Sequence, residues 1–427
     1  MWRLLYSFVL LPLLWLGIHA LALVNGKVRR GLRGRRNLLR KLREAMSSAE
    51  GARCVWVHVS SMGEFEQAKP LIEALKERVP DLCIVVSFFS PSGYENSRRY
   101  PHADVVTYIP FDTRRNARDF VTAVRPDIAV FIRYDIWPNH IWACEDAGIP
   151  LVLANATMRD ASARLWPGAR AFHRRLFNVF DVILTISDSD ATAFQRFQLD
   201  RPRIEVAGDT RFDRVAGKAA VAKGKKLLAE RIVDGRNVFV AGSSWPEDED
   251  VLLPALFTVM KNDARVLTVL VPHEPTVEHL ETLEYKLKGK AASIRFSFLA
   301  DYAGEPVILI DSIGILLSLY ASADVAFVGG GFKSNVHNTL EPAAYGIPVL
   351  YGPKIQNSRE AAQLSEAGGG FIVQNKRELY RLLRTLLSDD ALRHSAGSLA
   401  GTFVQSRAGA TTRIVDALLP YFDDPVR

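Results

Sequence analysis

The sequence predicts an α/β protein with two doubly wound domains, because short apolar runs alternate with helical patterns along most of the chain. Runs that are apolar on both faces and separated by helices are typical of strands in a parallel sheet. A length of 427 residues also fits two or three domains. The strands expected in the first domain are Cys54–Val59, Leu82–Phe88, Val105–Ile109, Ile128–Ile132, Leu151–Leu153, Val182–Ile186 and Ile204–Val206.

A change in composition separates this set of strands from a second one. Residues 214–236 are rich in Lys, Ala and Gly and contain no strong strand pattern. The alternation then restarts, which indicates a second domain of similar size with a ligand cleft between the two, beyond the carboxyl ends of the strands. The strands expected there are Val238–Ala241, Val266–Val271, Val307–Leu309, Val325–Val328, Val349–Tyr351 and Phe371–Val373.

The chain therefore divides into six expected segments. Only the two large ones are expected to form doubly wound domains, and the last is expected to be a helix that packs back on the first of them. In order, they are a membrane anchor at 1–26, a basic segment at 27–48, a first domain at 49–212, a linker at 213–236, a second domain at 237–405 and a C-terminal helix at 406–427.

The excess of positive over negative charge lies at the beginning of the sequence. The formal net charge is +7, yet residues 1–43 hold ten basic residues and no acidic one, so the remainder is slightly acidic at −3. A basic protein usually suggests a nucleic-acid partner. Because the body of this chain lacks the excess charge, no nucleic acid is expected as a partner.

The basic segment follows an apolar stretch that predicts a membrane anchor. Leu4–Val24 has no charged side chain and as a helix would span about 31 Å, close to the thickness of a bilayer core. Nine Lys and Arg follow at 27–43, a pattern typical of the cytoplasmic side and of anionic headgroups. Two alternatives stay open: a signal peptide cleaved near Ala20-Leu21-Ala22, and a buried core helix.

The cysteines give no sign of a disulfide framework or a zinc site. Cys54, Cys83 and Cys144 are odd in number and widely spaced. A reducing cytoplasm fits this usage. No metal and no cofactor is expected.

The first candidate site is the turn at 60–64, directly after the first strand. Gly63 allows the backbone to approach a ligand closely. Glu64 would stand at the carboxyl edge of the sheet, where it can act as a general base. The alternative is a first-turn glutamate that only stabilises its helix, since acidic residues are common there.

Three further loops of the first domain carry polar side chains at strand ends. Ser90, Ser92 and Gly93 fit an anion or a sugar carboxylate, although a plain turn explains them equally well. The loop at 133–139 combines Arg, Asp, Trp and Asn, which favours a functional role. Arg211 can pair with a phosphate or carboxylate in the cleft, or else with a neighbouring aspartate.

The most informative stretch is the triple-glycine loop at 329–331 and the helix expected to start near Asn338. Exposed backbone N–H groups at a helix N-terminus would bind a phosphate group, and the Glu341 carboxylate could accept hydrogen bonds from ribose hydroxyl groups. The alternative is a capping box between Asn338 and Glu341. Neither a dinucleotide-binding fingerprint nor a P-loop is present. Ser243, His273 and the turn at 311–314 are expected along the same sheet edge.

These motifs together resemble the membrane-anchored 3-deoxy-D-manno-octulosonic acid (Kdo) transferases of lipopolysaccharide biosynthesis, nearly from end to end. The matching segments are 61–64, 135–139, 212–213, 311–314 and, most specifically, 337–344. The resemblance implies a GT-B glycosyltransferase with two Rossmann-like domains, CMP-Kdo as donor, a lipid A precursor such as lipid IVA as acceptor, inversion at the anomeric carbon and no metal. It further implies a location at the cytoplasmic face of the inner membrane, single-pass or monotopic, beside anionic lipids.

The resemblance also assigns roles to residues, and it places the proton acceptor on Glu64. The remaining catalytic residues are expected to be Arg133, Asp135 and Arg211. The donor contacts are expected at Ser243, Pro272, His273, Ile313, Gly314, Ile315, Gly330, Gly331, His337, Asn338, Thr339, Leu340 and Glu341, and the acceptor contacts at Ser61, Gly63, Ser90, Ser92 and Gly93.

Several residues depart from the family pattern. His273 stands where an arginine is commoner, Ile315 where a glutamate is, and Arg133 where an acidic residue is usual. Arg211 replaces a lysine, and Trp245 stands where histidine is frequent. Three other functions stay open: a transferase that uses a UDP-sugar, a sugar-nucleotide epimerase, and a tethered binding protein that has lost catalysis.

Overall fold

A computed structural model describes residues 1–47, 51–224 and 227–423. The protein divides into two compact units, the first formed by Met1–Arg214 with Ala408–Arg427 and the second by Val215–Arg407. Each unit contains a seven-stranded sheet whose strands pair in parallel. The α/β class with two doubly wound domains is thereby confirmed.

The first sheet has seven strands, β1 (Cys54–Val59), β2 (Cys83–Phe88), β3 (Val105–Tyr108), β4 (Ile128–Ile132), β5 (Leu151–Ala156), β6 (Val182–Thr185) and β7 (Arg203–Val206). Their order in the sheet is β3-β2-β1-β4-β5-β6-β7. Five of them, β1, β2, β4, β5 and β6, are buried along their whole length, as their apolar runs predict. The helices between them are Met62–Arg78, Pro91–Ser97, Arg114–Val124, Pro138–Asp146, Pro167–Phe177 and Asp188–Gln195, with a 3-10 turn at Ala163–Leu165.

Side chains alternate between the two faces of this sheet, so each strand contributes to two apolar cores. Trp56 and Phe131 pack on one face, against Phe120. Val57 packs on the other face in the same core as Phe65. Burying large side chains on both faces stabilises the sheet and fixes which loops meet at its carboxyl edge.

The end of the chain returns to this first unit. The helix Ala410–Leu418 buries Ile414 and Val415 in the core on the second face of the sheet. The Asp213 carboxylate accepts hydrogen bonds from the backbone N–H groups of Gly409 and Thr411. The first unit is therefore built from two separate stretches of sequence.

The second sheet has the order β10-β11-β9-β8-β12-β13-β14. Its strands are β8 (Asn237–Ser244), β9 (Val266–Pro272), β10 (Ser293–Arg295), β11 (Val307–Leu309), β12 (Val325–Val328), β13 (Val349–Tyr351) and β14 (Gly370–Ile372). Its helices are Glu230–Val233, Pro246–Asn262, Val277–Leu287, Leu316–Leu319, Leu340–Ala343, Arg359–Glu366, Lys376–Ser388 and Asp390–Gln405, with 3-10 turns at Phe296–Asp301 and Tyr320–Ser322. The short half-exposed edge strand β10 was not predicted, because it lacks an apolar run.

The segment at 213–236, expected to be a linker without a strong strand, is largely helical where it is described. The chain passes from the first unit to the second inside the helix Thr210–Lys223, and a second short helix follows at Glu230–Val233. Lys and Ala are good helix formers, which explains a helix without a strong apolar run. Parts of the expected segments, at 48–50, 225–226 and 424–427, lie outside the described residues.

The N-terminal stretch is helical from Trp2 to Val24, with π-helical geometry at Tyr6–Leu10. It is long and apolar enough to cross a membrane, and only a small part of it is buried. Two amphipathic helices follow, Gly26–Gly34 and Leu38–Met46. The sequence prediction of a long apolar helix ahead of a basic segment is confirmed.

Candidate active site

In the first unit, the sequence-predicted loops come together at one edge of the sheet. The loops at 60–64, 90–93 and 133–135 follow β1, β2 and β4, and these three strands are neighbours in the sheet. The strand order reverses at β1, so the loops after β1 and β4 flank the switch point where such sheets bind ligands. Glu64, Arg133 and Asp135 lie on these two loops.

Glu64 is held rigidly by a capping box. The helix Met62–Arg78 starts after Ser61, whose side chain accepts from the Glu64 backbone N–H at 3.4 Å. The Glu64 carboxylate Oε2 accepts in return from the backbone N–H groups of Ser60 at 2.6 Å and of Ser61 at 3.2 Å. The capping role that the sequence offered as an alternative is therefore real, and it fixes the position of this carboxylate.

The electrostatic environment makes Glu64 a stronger base than an ordinary glutamate. The residue is 6% exposed, and burial raises its pKa. The hydrogen bond from Ser60 opposes this rise, the negative charge of Asp135 adds to it, and His58 and Arg133 oppose it weakly. A carboxylate with a raised pKa accepts a proton more readily than an exposed one.

A buried polar network that the sequence reasoning missed lies beneath this edge. The Trp56 Nε1–H donates to Ser87 Oγ at 2.8 Å, and the same oxygen lies 2.8 Å from His58 Nδ1. The other ring nitrogen of His58 is 3.4 Å from Asp135 Oδ2. The signal was present in the sequence, because His58 and Ser87 are the polar members of two apolar strands and stand opposite each other in the β1–β2 register.

Arg133 sits in a backbone conformation that few side chains adopt. Its φ is +68°, in the left-handed region that costs a non-glycine residue free energy. The backbone N–H of Arg133 donates to the carbonyl of Ala154, and its guanidinium lies over the ring of Tyr134. Asp135 accepts from the indole N–H of Trp137 at 3.1 Å. The loop after β4 is thus a strained, hydrogen-bonded turn.

The structure requires glycine at one of the two glycine positions expected to contact the acceptor, Gly93, but not at the other, Gly63. A Cβ on Gly93 would lie 2.6 Å from the Phe88 ring, so packing alone requires that glycine. A Cβ on Gly63 would meet only the Ser61 hydroxyl, at 3.9 Å, and Gly63 has no unusual φ. Ser90 caps the helix Pro91–Ser97 and lies 3.4 Å from the Ser92 hydroxyl, so the plain-turn explanation holds for it. Neither side-chain packing nor backbone conformation explains why residue 63 is a glycine.

Arg211 forms the ion pair that the sequence offered as its alternative. Its guanidinium lies 2.8 Å from the Asp209 carboxylate, and its backbone N–H donates to the same side chain at 2.9 Å. Asp209 is nearly buried while Arg211 is about one-third exposed. The pair therefore orients the guanidinium without removing it from solvent.

In the second unit, the residues expected at the donor site also share one sheet edge. The loops that carry them follow β11, β9, β8 and β12, which are consecutive in the sheet. Ser243, the next-to-last residue of β8, has a positive φ of 54°, and Gly314 has a φ of 85° beside the exposed Ile313. Pro272 ends β9, and Ile315 caps the helix Leu316–Leu319. The predicted alignment of these segments along one edge is observed.

Three aromatic rings tie three of these loops together. The His273 ring stacks on both Trp245 and His337, with centroid separations of 4.5 Å and 4.4 Å. The Lys333 ammonium lies 3.1 Å from the centroid of the Trp245 ring. Trp245 and His337 are themselves joined edge to edge by a hydrogen bond, so they lie side by side on one face of the exposed His273 ring.

His337 is held in its neutral form. The Trp245 Nε1–H donates to His337 Nε2 at 2.8 Å, which requires that this nitrogen carries no proton. Burial, together with the neighbouring His273 and Lys333, lowers the pKa of His337 to about 4. At neutral pH the ring proton is therefore on Nδ1, where it can be donated.

The triple-glycine loop is not the open phosphate cradle that the sequence suggested. The buried Asp248 carboxylate accepts from the N–H groups of Gly330 at 2.7 Å and of Phe332 at 3.1 Å. A Cβ on Gly329 would lie 2.2 Å from the Ser243 carbonyl, and one on Gly331 would lie 2.6 Å from the Gly352 nitrogen. These glycines permit close backbone packing. The sequence reasoning missed Asp248, whose burial also raises its pKa.

The helix after this loop is short and starts two residues later than predicted. It runs only from Leu340 to Ala343, and its N-cap is Thr339 rather than Asn338. The predicted capping box is absent: the Asn338 amide instead donates to the Glu341 carboxylate at 3.1 Å, while its carbonyl accepts from the Leu340 N–H. A helix of four residues supplies little dipole, so side chains carry most of the polarity here.

Comparison with known proteins shows that the chain is similar to Kdo transferases. The family described as 3-Deoxy-D-manno-octulosonic-acid transferase (kdotransferase) matches residues 31–214. A Kdo transferase of Haemophilus influenzae is 26% identical over 99% of both chains, and one of Aquifex aeolicus is 28% identical over 81% of this chain and 89% of its own. The chain is a glycosyltransferase that is similar to Kdo transferases along nearly its whole length.

Solved structures agree with the fold of this transferase. A UDP-GlcNAc 2-epimerase of Neisseria meningitidis covers 86% of the chain and all of its own, with a TM-score of 0.60 and 15% identity. MurG of Acinetobacter baumannii covers 86% of the chain and 99% of its own, with a TM-score of 0.53 and 13% identity. At these identities they support the GT-B type of fold alone.

The residues of the first unit that are expected to be catalytic lie in the part of the chain that the family matches. Glu64, Arg133, Asp135 and Arg211 all fall inside the matched segment 31–214. Among the described residues, no group of three or more His, Cys, Asp or Glu side chains is arranged to hold a metal ion. The roles of the individual site residues stay predictions.

Proposed function

We propose that this transferase moves Kdo from CMP-Kdo to a lipid A precursor (lipid IVA), with inversion at the anomeric carbon and Glu64 as the general base. The observation that carries the proposal is the environment of Glu64. It is a buried carboxylate with a raised pKa, fixed by two backbone N–H groups at the switch point of the sheet. Similarity to Kdo transferases along the whole chain supports the substrate class.

The proposed reaction needs one proton acceptor and one leaving group. The Glu64 carboxylate removes the proton from a hydroxyl of the acceptor while that oxygen attacks the anomeric carbon of Kdo. The bond from this carbon to the phosphate oxygen breaks, and CMP departs with the electron pair. Glu64 has to be ionised beforehand, so transfer should fall as the pH drops through its raised pKa.

Neighbouring groups in the first unit favour the ionised form of this base. Burial raises the pKa of Glu64, and His58 and Arg133 limit that rise. His58 contacts Ser87 and approaches Asp135 with its other nitrogen. Arg211, oriented by Asp209, is proposed to offset negative charge on the leaving phosphate or on the Kdo carboxylate.

Donor binding is proposed for the edge of the second sheet. His337 offers its Nδ1–H to an anionic oxygen because Trp245 occupies its Nε2. Glu341, aligned by Asn338, is proposed to accept hydrogen bonds from the ribose hydroxyl groups. With Gly330 and Phe332 engaged by Asp248, these side chains rather than the glycine backbone are proposed to hold the nucleotide.

The enzyme is proposed to act at the cytoplasmic face of the inner membrane. The apolar helix Trp2–Val24 supplies an anchor, and the nine basic residues of 27–43 supply attraction to anionic lipids. A lipid acceptor with phosphate groups would be presented at the same surface. No nucleic acid is proposed as a partner.

Product analysis tests this function directly. Full-length protein in anionic vesicles is incubated with CMP-Kdo and a lipid A precursor, and the lipid is examined by mass spectrometry. We expect a mass increase of one or more Kdo residues and release of CMP. Transfer from a UDP-sugar instead, with UDP competing better than CMP, would overturn the donor assignment. Donor binding without any transfer would indicate a binding protein that has lost catalysis.

A further inference from the structure

The first helix exposes an unusual amount of apolar surface. Thirteen large apolar side chains of residues 1–24 are exposed, against eleven in the rest of the described chain. No acidic or basic residue occurs between Leu4 and Val24. A continuous apolar surface of this kind is typical of contact with lipid rather than with water.

The beginning of this helix is fixed to the first unit. The Arg3 guanidinium bonds Glu145 at 2.6 Å and Asp146 at 2.8 Å, at the end of the helix Pro138–Asp146. The Tyr6 hydroxyl donates to the fully buried Asp112 carboxylate at 2.7 Å. These contacts hold the first turns of the helix against the catalytic unit.

Asp112 makes this attachment a specific one. Its carboxylate also accepts from the backbone N–H and the Nδ1 of His140, at 3.1 Å and 2.6 Å, and from the backbone N–H of Asn139. The Tyr6 ring packs against Trp142 in the same core, and Leu11 is buried as well. Removing Tyr6 would leave a buried carboxylate with one donor fewer, which is costly.

The chain returns to the same unit soon after the helix ends. The chain leaves the helix at Asn25, and Arg29 donates back to the carbonyl groups of Ala22 and Leu23. The next helix, Gly26–Gly34, leads to Arg35, whose guanidinium donates to the carbonyl of Phe89 at 2.7 Å and to that of Ile109 at 2.9 Å. The chain is thus back on the first unit within ten residues of Asn25.

These two attachments exclude a path across a bilayer. The ten residues from Asn25 to Arg35 span about 15 Å as a helix, whereas a bilayer core is about 30 Å thick. A spanning helix has to place its ends on opposite sides, yet Tyr6 and Arg35 both contact the first unit. Positions 2, 3, 6, 7 and 11 are buried or half-buried and form the stripe that faces the first unit, and positions 18, 19 and 22 near the end of the helix are covered as well.

We infer that the helix Trp2–Val24 lies within one leaflet and does not cross the membrane, so that the N-terminus stays on the side of the catalytic units. The exposed basic residues at 27, 29, 30, 33 and 36 would then lie at the headgroups of that leaflet. The inference rests on the membrane location proposed above and sharpens it from single-pass or monotopic to monotopic.

Protease protection of two tags tests the inference. The full-length chain carries one epitope tag before Met1 and a different one after Arg427, in inner-membrane vesicles of both orientations. We expect both tags to be cleaved in inside-out vesicles and both to be protected in intact spheroplasts. An N-terminal tag cleaved only in spheroplasts would show a crossing helix and overturn the inference.

Fractionation and activity separate this outcome from failure of the proposed function. If the protein transfers Kdo but its N-terminus lies on the far side, only the inference fails. If it does not sediment with membranes, the proposed location fails together with the inference. Edman sequencing of the purified protein is expected to start within the first residues, whereas a start after Ala22 would show a cleaved signal peptide and also overturn it.

A depth measurement tests the same point without large tags. Spin labels are attached through Leu4→Cys, Leu14→Cys and Leu21→Cys, and their depth is measured by power saturation in vesicles with anionic lipids. The native Cys54, Cys83 and Cys144 are buried and should react little. We expect similar shallow depths at all three positions. A maximum of depth at position 14 with shallow values at both ends would indicate a spanning helix.

Discussion

Two glycine-bearing loops, at 60–64 in the first unit and 329–331 in the second, follow buried strands and look alike in the sequence. In the first, a Cβ on Gly63 would point into space that the protein leaves open. In the second, backbone atoms fill the space beside Gly329 and Gly331, and Asp248 takes the N–H groups of Gly330 and Phe332. The three glycines at 329–331 allow the backbone to pack closely, while the space beside Gly63 is large enough to admit part of a ligand.

The difference also concerns how each unit presents charge. The first unit fixes a carboxylate in a capping box and raises its pKa by burial. The second unit buries its carboxylate, Asp248, as an internal acceptor and presents half-exposed imidazole and amide groups instead. We therefore expect base chemistry to depend on the first unit and nucleotide affinity to depend on the side chains of the second.

The largest expected effect is on the base. Glu64→Gln keeps the two backbone hydrogen bonds through its amide oxygen but removes proton acceptance, so kcat should fall about 100- to 10,000-fold. Its thermal stability should exceed that of the unaltered enzyme near pH 7, because ionised Glu64 is disfavoured by burial, and this advantage should shrink as the pH falls through the raised pKa. Initial rates and melting curves across pH check both.

Glu378→Gln is the matched control for this variant. Glu378 is also a first-turn glutamate, and it accepts from the backbone N–H of Gln374 ahead of its own cap at Asn375. Its replacement should leave transfer within twofold, which is roughly 0.4 kcal/mol. Near-normal turnover by folded Glu64→Gln would refute the base assignment.

A pair of variants tests whether Gly331 serves packing while Gly63 leaves space for the acceptor. Gly331→Ala places a Cβ against the backbone of Gly352, so we expect the second unit to lose roughly 1–3 kcal/mol of stability. Gly63→Ala should melt normally but transfer Kdo at least about tenfold more slowly, an effect of roughly 1.4 kcal/mol on the transition state. Full activity of a stable Gly63→Ala enzyme would remove the acceptor role from this loop.

Donor affinity should respond to Glu341 by a smaller amount. Glu341→Ala is expected to weaken CMP binding about tenfold, as for the loss of hydrogen bonds to a charged group. Glu278→Ala, at another first-turn glutamate of the same unit, is the control and should leave affinity unchanged. Calorimetry of CMP binding decides between them, and equal affinities for the two variants would reject the ribose role.

The smallest expected effect concerns the ring stack. Trp245→Phe keeps an aromatic ring beside His273 but removes the N–H that donates to His337, so the pKa of His337 should rise above about 4 toward its ordinary value of 6.5. NMR titration measures that pKa. CMP affinity should then vary by a few-fold between pH 5 and 7, and an unchanged titration would show that the Trp245 donor has no effect.

Every strand except the half-exposed edge strand β10 was predictable from sequence to within a few residues, and β1, β4, β11, β12 and β13 have the expected bounds. Strands buried on both faces leave a continuous apolar run, and this physical signal is local. The loops were harder. The reason for Gly329 lies in Ser243, and the partner of Gly330 is Asp248, both far away in the sequence. Pairings of this kind depend on the finished fold.

The helix ends and the anchor show the same limit. Asn338 and Glu341 have the spacing of a capping box, yet the short helix leaves their side chains to bond each other. The apolar stretch at 4–24 predicted an anchor, but only the contacts of Arg3, Tyr6 and Arg35 indicate how it is held. Hydropathy reports what a segment prefers, while contacts report where its ends are.

The return of the chain end to the first unit has a consequence for biosynthesis. Domains generally fold as they leave the ribosome, in order from the N-terminus. Here the core of the first unit includes Ile414, Val415 and Leu418, so it remains incomplete until almost the whole protein has been made. All residues of the second unit, Val215–Arg407, are translated before the last part of the first unit. The unit whose residues are translated first is thus the last to complete its fold. A chain that ended before Ile414 would lack part of the core of the unit that carries Glu64, while every residue of the second unit would be present.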